Sequence, residues 1–169
     1  MNGFKKISAE EISKNTFELI GKDWMLVTAK KPDGTVNTMT ASWGGLGVMW
    51  NKNAAFVVLR PQRYTKEFVD SSDSFSLTFF ADDYKKQLSY LGSVSGRDED
   101  KITKAGLTVA ENDGVPYFEE SKMVLICKKM FAQEMTEDSF ILKSIPKEMY
   151  SAGDYHTLYI AEIESVWVK

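Results

Sequence analysis

The chain has 169 residues, a formal net charge of -3 and 27% charged residues, a balance that argues against a basic nucleic-acid-binding surface. Its length suits one domain, which we expect to span residues 1–169. The single cysteine, Cys127, excludes an intrachain disulfide and fits a reducing compartment.

Neither a leader nor a membrane segment is recognisable in the sequence. The first fourteen residues lack the apolar core of a signal peptide. No run approaches the roughly 18 apolar residues of a spanning helix. We therefore expect a soluble cytoplasmic protein without a membrane or nucleic-acid partner.

The first half of the chain alternates strand patterns with short helices. Residues 8–11 have capping-box spacing, and the apolar residues after them predict a helix that ends at Gly21. Residues 32–34 read Pro-Asp-Gly and predict a turn, whereas the glycines of residues 44–47 predict a loop. Strands are predicted at 24–30, 36–42, 54–59 and 74–80, and helices at 66–71, 82–91 and 98–106.

The second half returns to strands. Apolar runs predict strands at residues 123–130, 140–145 and 156–168, the last of them long enough to be bulged. Because the spacing between strands is too irregular for repeated βαβ units, we expect a mostly β fold, an antiparallel barrel or sandwich with helices outside.

Most familiar catalytic chemistry finds no support in the side chains. A zinc site needs about four Cys, His or acidic ligands, whereas the chain has one cysteine and one histidine, His156, so we predict no metal. A glycine pattern at residues 45–50 begins like a dinucleotide fingerprint but ends in tryptophan. None of the possible acid pairs is singled out for sugar hydrolysis. A bound cofactor that carries the chemistry fits better.

One segment combines features that neither a core strand nor a solvent loop would share. Residues 37–50, NTMTASWGGLGVMW, carry no charge, begin with short hydrogen-bonding side chains and contain two tryptophans around three glycines. This composition suits contact with a flat, polar-edged ligand.

Four segments in order resemble the flavin reductase-like, FMN-binding split-barrel family, in particular its flavoredoxin-like branch. They are residues 37–43 (NTMTASW), 59–65 (LRPQRYT), 95–101 (SGRDEDK) and 153–163 (GDYHTLYIAEI). The resemblance covers residues 24–168 and implies a six-stranded antiparallel Greek-key barrel. It also implies a homodimer that binds FMN near the subunit interface.

The activity implied by the resemblance is electron transfer through FMN, with NAD(P)H as the usual donor and a flavin, small molecule or protein as acceptor. One alternative is a flavoredoxin-type carrier that holds FMN tightly and receives electrons from another protein. Another is a flavin-binding module without enzymatic activity, or a barrel that has lost its cofactor.

The same resemblance assigns the ring end of the cofactor site. Short polar and small residues would meet the edge of the isoalloxazine ring: Asn37, Thr38, Thr40, Ala41 and Ser42. Trp43 would provide a flat apolar wall, although a place in the core explains a tryptophan equally well. His156 would hydrogen-bond the ring or orient a hydride donor, as the candidate catalytic residue, unless it is purely structural.

The phosphate end is assigned to the segment before the helix at 66–71. Arg60, Arg63 and Thr65 would bind phosphate oxygens, whereas Gln62 and Tyr64 would contact the ribityl chain or shape the turn. The alternative is a capped helix start with solvated arginines. Lys101 would neutralise the phosphate or the flavin, unless it is an ordinary surface lysine.

Overall fold

A computed structural model of the chain describes residue 1 and residues 3–169, and its architecture is an antiparallel sheet with short helices around it. The strands are β1 (Lys5–Ile7), β2 (Met25–Lys30), β3 (Val36–Ala41), β4 (Gly44–Met49), β5 (Lys52–Leu59), β6 (Ser74–Phe79), β7 (Val109–Asn112), β8 (Val115–Phe118), β9 (Met123–Glu134) and β10 (Thr157–Val168). The helices are α1 (Thr16–Glu18), α2 (Tyr64–Ser71), α3 (Lys85–Ser93), α4 (Lys101–Lys104) and α5 (Ser144–Met149).

The main sheet has the strand order β3-β2-β6-β9-β10-β5-β4, with β1 added to β10. Its largest buried cluster draws side chains from six strands, β2, β3, β5, β6, β9 and β10. Strands from both ends of the order thus face one core, although β3 and β4 are not hydrogen-bonded to each other. The sheet is therefore a six-stranded barrel with an open seam, extended by β1 and β4, and the predicted antiparallel β fold is confirmed.

The long strands β9 and β10 bend because their pairing is interrupted twice. The register shifts between Ile160 and Ala161 and again between Ile163 and Ser165. Irregularities of this kind increase the local twist and let a long strand curve around a core. The predicted bulge in the last strand is confirmed.

Two tight hairpins connect neighbouring strands. Trp50 and Asn51, between β4 and β5, both have positive φ, and so do Asp113 and Gly114 between β7 and β8. Two consecutive positive φ values are typical of the primed turns that match strand twist. The β7–β8 hairpin, absent from the sequence-based prediction, carries this Asp-Gly signal.

Three local predictions were wrong. The segment after Ser8 forms a capped 3₁₀ turn, Ala9–Glu11, and helical structure starts again only after Asn15, whose side chain caps α1. Residues 44–47 belong to β4, because their backbone pairs with β5. Residues 140–145 form no strand; Ile141 is exposed and α5 begins at Ser144.

The helices cover the outer face and the ends of the barrel. A second buried cluster joins Leu88 and Leu91 of α3 to Leu26 of β2 and Phe118 of β8. Cys127 points into the main core, fully buried, and burial raises the pKa of its thiol. Within residues 1 and 3–169, no helix has both the length and the apolar character required to cross a membrane.

Replacing Gly44 by alanine should destabilise the seam of the barrel. Gly44 has φ +142°, and a Cβ there would lie 2.3 Å from the backbone oxygen of Phe56. We expect a loss of about 1–3 kcal/mol in the free energy of unfolding, measured by urea denaturation. Gly45→Ala is the matched control, because its Cβ would make only a 3.9 Å contact with the Phe56 ring. Equal losses in the two variants would contradict this account.

Candidate functional site

The candidate site lies beside β3, one of the two strands at the ends of the main sheet. The outer edge of β3 has no strand partner among the described residues, so its backbone groups can meet a ligand. Trp43, just after the end of β3, and Arg60, just after the end of β5, contribute side chains to the same region.

The first cavity has a volume of about 320 Å³ and lies at the end of β3. Its walls combine small polar groups, an aromatic ring and cationic side chains. They are Met39, Thr40, Ala41, Ser42, Trp43, Val58, Arg60, Gln62, Arg63 and His156. The structure thus brings together eight of the predicted site residues, from three separate sequence segments.

A second cavity of about 110 Å³ adjoins the first and shares Met39, Gln62 and Arg63 with it. It extends toward the start of α2 and the segment after α3. Its remaining walls are Tyr64, Thr65, Ser93, Val94, Ser95 and Lys101. The two cavities together form an elongated site that joins the predicted ring end to the predicted phosphate end.

Two cations at the second cavity lack an acidic partner. Arg63 has no hydrogen-bond or ion-pair partner for its guanidinium among the described residues, and burial together with the charge of Arg60 lowers its pKa. Lys101 is 4% exposed, and its Nζ donates to the carbonyl oxygens of Leu91 and Val94, each at 2.8 Å. Burial and the nearby Arg63 lower the pKa of Lys101 to about 8. Partly buried cations without carboxylates predict an anionic ligand.

The start of α2 adds donors to this region. Arg63 occupies the N-cap position without making a side-chain cap, and its carbonyl accepts from the N–H of Lys66 at 2.9 Å. The N–H groups of Tyr64 and Thr65 have no protein acceptor among the described residues. The Thr65 hydroxyl accepts a hydrogen bond of 3.1 Å from Asn37, which orients it. A helix N-terminus with such donors favours phosphate-like groups.

Arg60 differs from Arg63, since its charge is already balanced. It donates to the Asp154 carboxylate and, at 2.8 Å, to the carbonyl of Met149. Gln62 donates to the same Asp154 oxygen at 2.7 Å. The predicted phosphate contact of Arg60 is therefore not supported; Arg60 and Gln62 instead fix the segment that precedes β10.

His156 is 7% exposed and lies where β10 begins. Its Nδ1 is 2.8 Å from the Tyr150 hydroxyl, and its ring lies 5.3 Å from the ring of Trp43. Burial, followed by the charge of Arg60, lowers its pKa to about 4. The imidazole is therefore neutral at physiological pH and suited to hydrogen bonding rather than to carrying charge.

Two predicted residues lie outside both cavities. Thr38 is fully buried, and its hydroxyl pairs with Thr28 at 2.8 Å inside the sheet. Asn37 lies behind Thr65 and touches only an outer cleft. Thr38 and Thr40 share one face of β3 because side chains alternate along a strand, so the pattern alone cannot show that only Thr40 lines a cavity.

Five residues that line the cavities were missed: Met39, Val58, Ser93, Val94 and Ser95. Met39, Val58 and Ser95 had a signal, because each lies within or beside one of the four motif segments. Ser93 and Val94 had none, since the end of α3 approaches β3 only through tertiary packing.

Comparison with known proteins places this geometry in context. The sequence profile of the family described as the flavin reductase like domain matches residues 18–169. No curated protein sequence matches the chain significantly.

Solved structures show the same fold. An FMN-binding domain of a flavin reductase-like enzyme from Shewanella baltica has a TM-score of 0.70 at 19% identity, covering 99% of this chain and 78% of that one. Flavoredoxin from Methanosarcina acetivorans has a TM-score of 0.69 at 21% identity, covering 87% and 68%. Flavoredoxin from Desulfovibrio vulgaris has a TM-score of 0.68 at 23% identity, covering 98% and 76%.

The lowered pKa of His156 should appear in the pH dependence of stability. Between about pH 6.5 and pH 4 the unfolded chain binds a proton at His156 that the folded chain does not, so stability falls on acidification. From pH 7.5 to pH 5 we expect a loss of about 2 kcal/mol from this residue. Chemical denaturation at both pH values measures it, with His156→Gln as the variant that lacks this part of the loss. The same loss in both proteins would contradict the assignment.

Proposed function

The chain belongs to the flavin reductase like domain family, and we propose that it binds FMN in the two adjoining cavities and transfers electrons from NAD(P)H to a flavin or another acceptor. The observation that carries the proposal is the pair of partly buried cations, Arg63 and Lys101, next to a cavity walled by Trp43. An anionic tail and a flat head on one ligand would satisfy both features.

The residues present fit FMN at each end. Arg63, Lys101 and the start of α2 would hold the phosphate, because they supply positive charge and N–H donors that the described residues leave without an acid. Trp43 would contact the flat ring system, and the backbone of β3 with Ser42 would meet its polar edge. When bound, FMN supplies the redox chemistry, which no side chain of the site provides.

The protein groups then position and tune rather than react. Arg63 and Lys101 would offset negative charge at the phosphate end, and Met39 and Trp43 would cover the part of the ring that they contact. His156 offers a neutral hydrogen-bonding group in the first cavity, suited to a carbonyl of the ring or of a nicotinamide. It has no role as an acid–base catalyst in this proposal.

A homodimer completes the proposal. Large apolar side chains are exposed in and beside β4, at one end of the main sheet: Trp43 precedes this strand, Val48 lies in it and Trp50 follows it. Phe131 of β9 is exposed as well. Trp50 and Phe131 contact each other, their ring centroids 6.2 Å apart. Exposed apolar groups gathered in this way favour burial against another chain. Sedimentation of the protein with and without FMN measures the assembly.

Binding of FMN and of riboflavin separates the two ends of the site. Arg63→Ala should weaken FMN roughly 10- to 100-fold, because it removes charge-assisted hydrogen bonds to phosphate, and should leave riboflavin unchanged. Trp43→Ala should weaken both ligands roughly tenfold, because it removes the ring contact. Quenching of flavin fluorescence measures each affinity.

Lys66→Ala is the matched control for the loss of one positive charge. Lys66 lies in α2, the helix that Arg63 precedes, but it is paired with Asp70 at 2.7 Å and lines neither cavity. The affinity of Lys66→Ala for both ligands should equal that of the wild type. Unchanged FMN affinity in both Arg63→Ala and Trp43→Ala would refute the site assignment.

Steady-state oxidation of NADH and NADPH tests the electron donor. The FMN-loaded protein should oxidise at least one of the two nucleotides with multiple turnovers when free flavin is the acceptor. Trp43→Ala should lower the rate at subsaturating FMN, because a smaller fraction of the variant then has FMN bound. Reduction by dithionite without any reaction with NAD(P)H would refute the reductase and favour a flavoredoxin-type carrier. A protein that takes up no FMN would refute both.

A further inference from the structure

Tyr150 contacts His156 from behind the first cavity and lines neither of the two cavities itself. Tyr150 follows α5, is 7% exposed and lies in an aromatic cluster with Phe140 and Tyr155, whose ring centroids are 5.6 and 5.1 Å from its own. The guanidinium of Arg60 stacks over the Tyr150 ring at 5.0 Å. The phenol is thus held from several sides before it meets the histidine.

The position of each polar atom decides which group donates in this hydrogen bond. The Tyr150 hydroxyl and His156 Nδ1 are 2.8 Å apart, and the hydroxyl has no other partner among the described residues. Were Nδ1 to donate, the phenol hydrogen would be buried without an acceptor, which is unfavourable. Were the phenol to donate, each buried atom of the contact would be satisfied. Burial also raises the pKa of Tyr150, so the phenol keeps its proton.

The other imidazole nitrogen faces the cavity. His156 lines the first cavity, and Nε2 has no protein partner among the described residues. Among the described residues, the side-chain N and O atoms that are both fully buried and without a partner are Thr78 Oγ1 and Gln87 Oε1. Nε2 has no partner either but is not one of them, so it is not fully buried. Nε2 therefore reaches the space of the cavity, where a ligand can meet it.

We propose that Tyr150 is a positioning residue that holds neutral His156 with its proton on Nε2, so that a fixed hydrogen-bond donor faces the first cavity. The use of this donor, toward a carbonyl or ring nitrogen of the flavin or toward the carboxamide of a nicotinamide, rests on the proposed function. The tautomer itself does not depend on any ligand.

The surrounding charges explain why a neutral donor suits this place. The charged groups that face His156 are Arg60, Arg63 and Asp154. Asp154 balances Arg60, whereas Arg63 has no acid among its described neighbours. An imidazolium would place one more positive charge beside Arg63, and the neutral Nε2–H group donates a hydrogen bond without adding that charge.

Nitrogen-15 NMR of the uniformly labelled protein reads the tautomer directly. The chain has one histidine, so every imidazole nitrogen signal in the spectrum belongs to His156. At neutral pH, without FMN, we expect the wild type to show Nε2 protonated and Nδ1 unprotonated. A wild-type spectrum with the proton on Nδ1, or with an equal mixture of the two tautomers, would overturn the proposal.

The variant Tyr150→Phe removes the hydroxyl and keeps the ring, and Tyr155→Phe does the same to a neighbour in the same cluster that makes no bond to His156. We expect Tyr150→Phe to raise the pKa of His156 by on the order of one unit, the size of one hydrogen bond, and to admit the second tautomer. Tyr155→Phe should match the wild type in both readouts. An unchanged histidine in Tyr150→Phe would overturn the proposal.

The FMN-loaded protein tests the role of the donor separately. Tyr150→Phe should lower kcat/KM for NAD(P)H roughly 3- to 10-fold and shift the acidic limb of the pH profile upward with the His156 pKa. His156→Gln, whose amide can donate from a similar position, should retain more activity than His156→Ala. Equal kcat/KM and pH profiles in Tyr150→Phe and the wild type would overturn the functional role.

The two failures remain distinguishable. If FMN does not bind but the wild-type spectrum shows the Nε2–H tautomer and Tyr150→Phe alters it, the proposed function fails and the positioning of His156 by Tyr150 stands. If FMN binds and NAD(P)H is oxidised while the spectrum shows the Nδ1–H tautomer, the proposed function stands and the positioning role fails.

Discussion

The antiparallel pairing of β10 with two partners is the constraint from which the candidate site follows. Thr157 pairs with Leu59 of β5 on one side and with Glu134 of β9 on the other. This register places the residues just outside the pairing, His156 and Arg60, at the same end of the sheet although 96 positions separate them in sequence. The bulges further along β10 then let the sheet curve until β3 faces the same space.

The polar side chains around the two cavities are held by partners behind them. Asp154 fixes Arg60 and Gln62, Asn37 fixes Thr65, and two carbonyl oxygens fix Lys101. Such supporting contacts reduce the freedom that a ligand would otherwise have to remove, which favours binding. The same logic extends to Gly96, where a Cβ would lie 2.3 Å from Asn37 Oδ1, so a side chain there would displace the support of Thr65.

The sequence predicted those features that are encoded locally. Alternation along residues 74–80 identified β6, the apolar run at 156–168 identified β10, and the motifs contained eight assigned residues among the ten that line the first cavity. Local signals misled where two caps competed, because Asn15 lies inside the helix predicted after Ser8 and begins a separate short helix there. At residues 140–145 the apolar side chains of Ile141 and Leu142 predicted a strand, yet both are exposed and α5 begins at Ser144.

Charge balance within the site could not be predicted, because it depends on contacts between distant segments. Arg60 and Arg63 look equivalent in the sequence, but only Arg60 meets an acid, Asp154, and it does so across 94 positions. Lys101 looks like a surface lysine on a short helix, yet it is buried against carbonyls from the end of α3. A sequence motif can assign an arginine or lysine to a site. Whether an acidic side chain neutralises that residue depends on the tertiary structure.

The charged and polar groups of the site that have no protein partner indicate what kind of ligand would fit. The Arg63 guanidinium has no protein acceptor among the described residues, and in our proposal His156 Nε2–H is a further donor without one. Met39 and Trp43 add apolar walls to the same site. An ion without an extended apolar body would leave the wall of Trp43 in contact with water. A flat apolar molecule without an anionic group would leave Arg63 and Lys101 uncompensated. A ligand with an anionic tail and a flat, polar-edged head, as proposed, would contact all of these groups together.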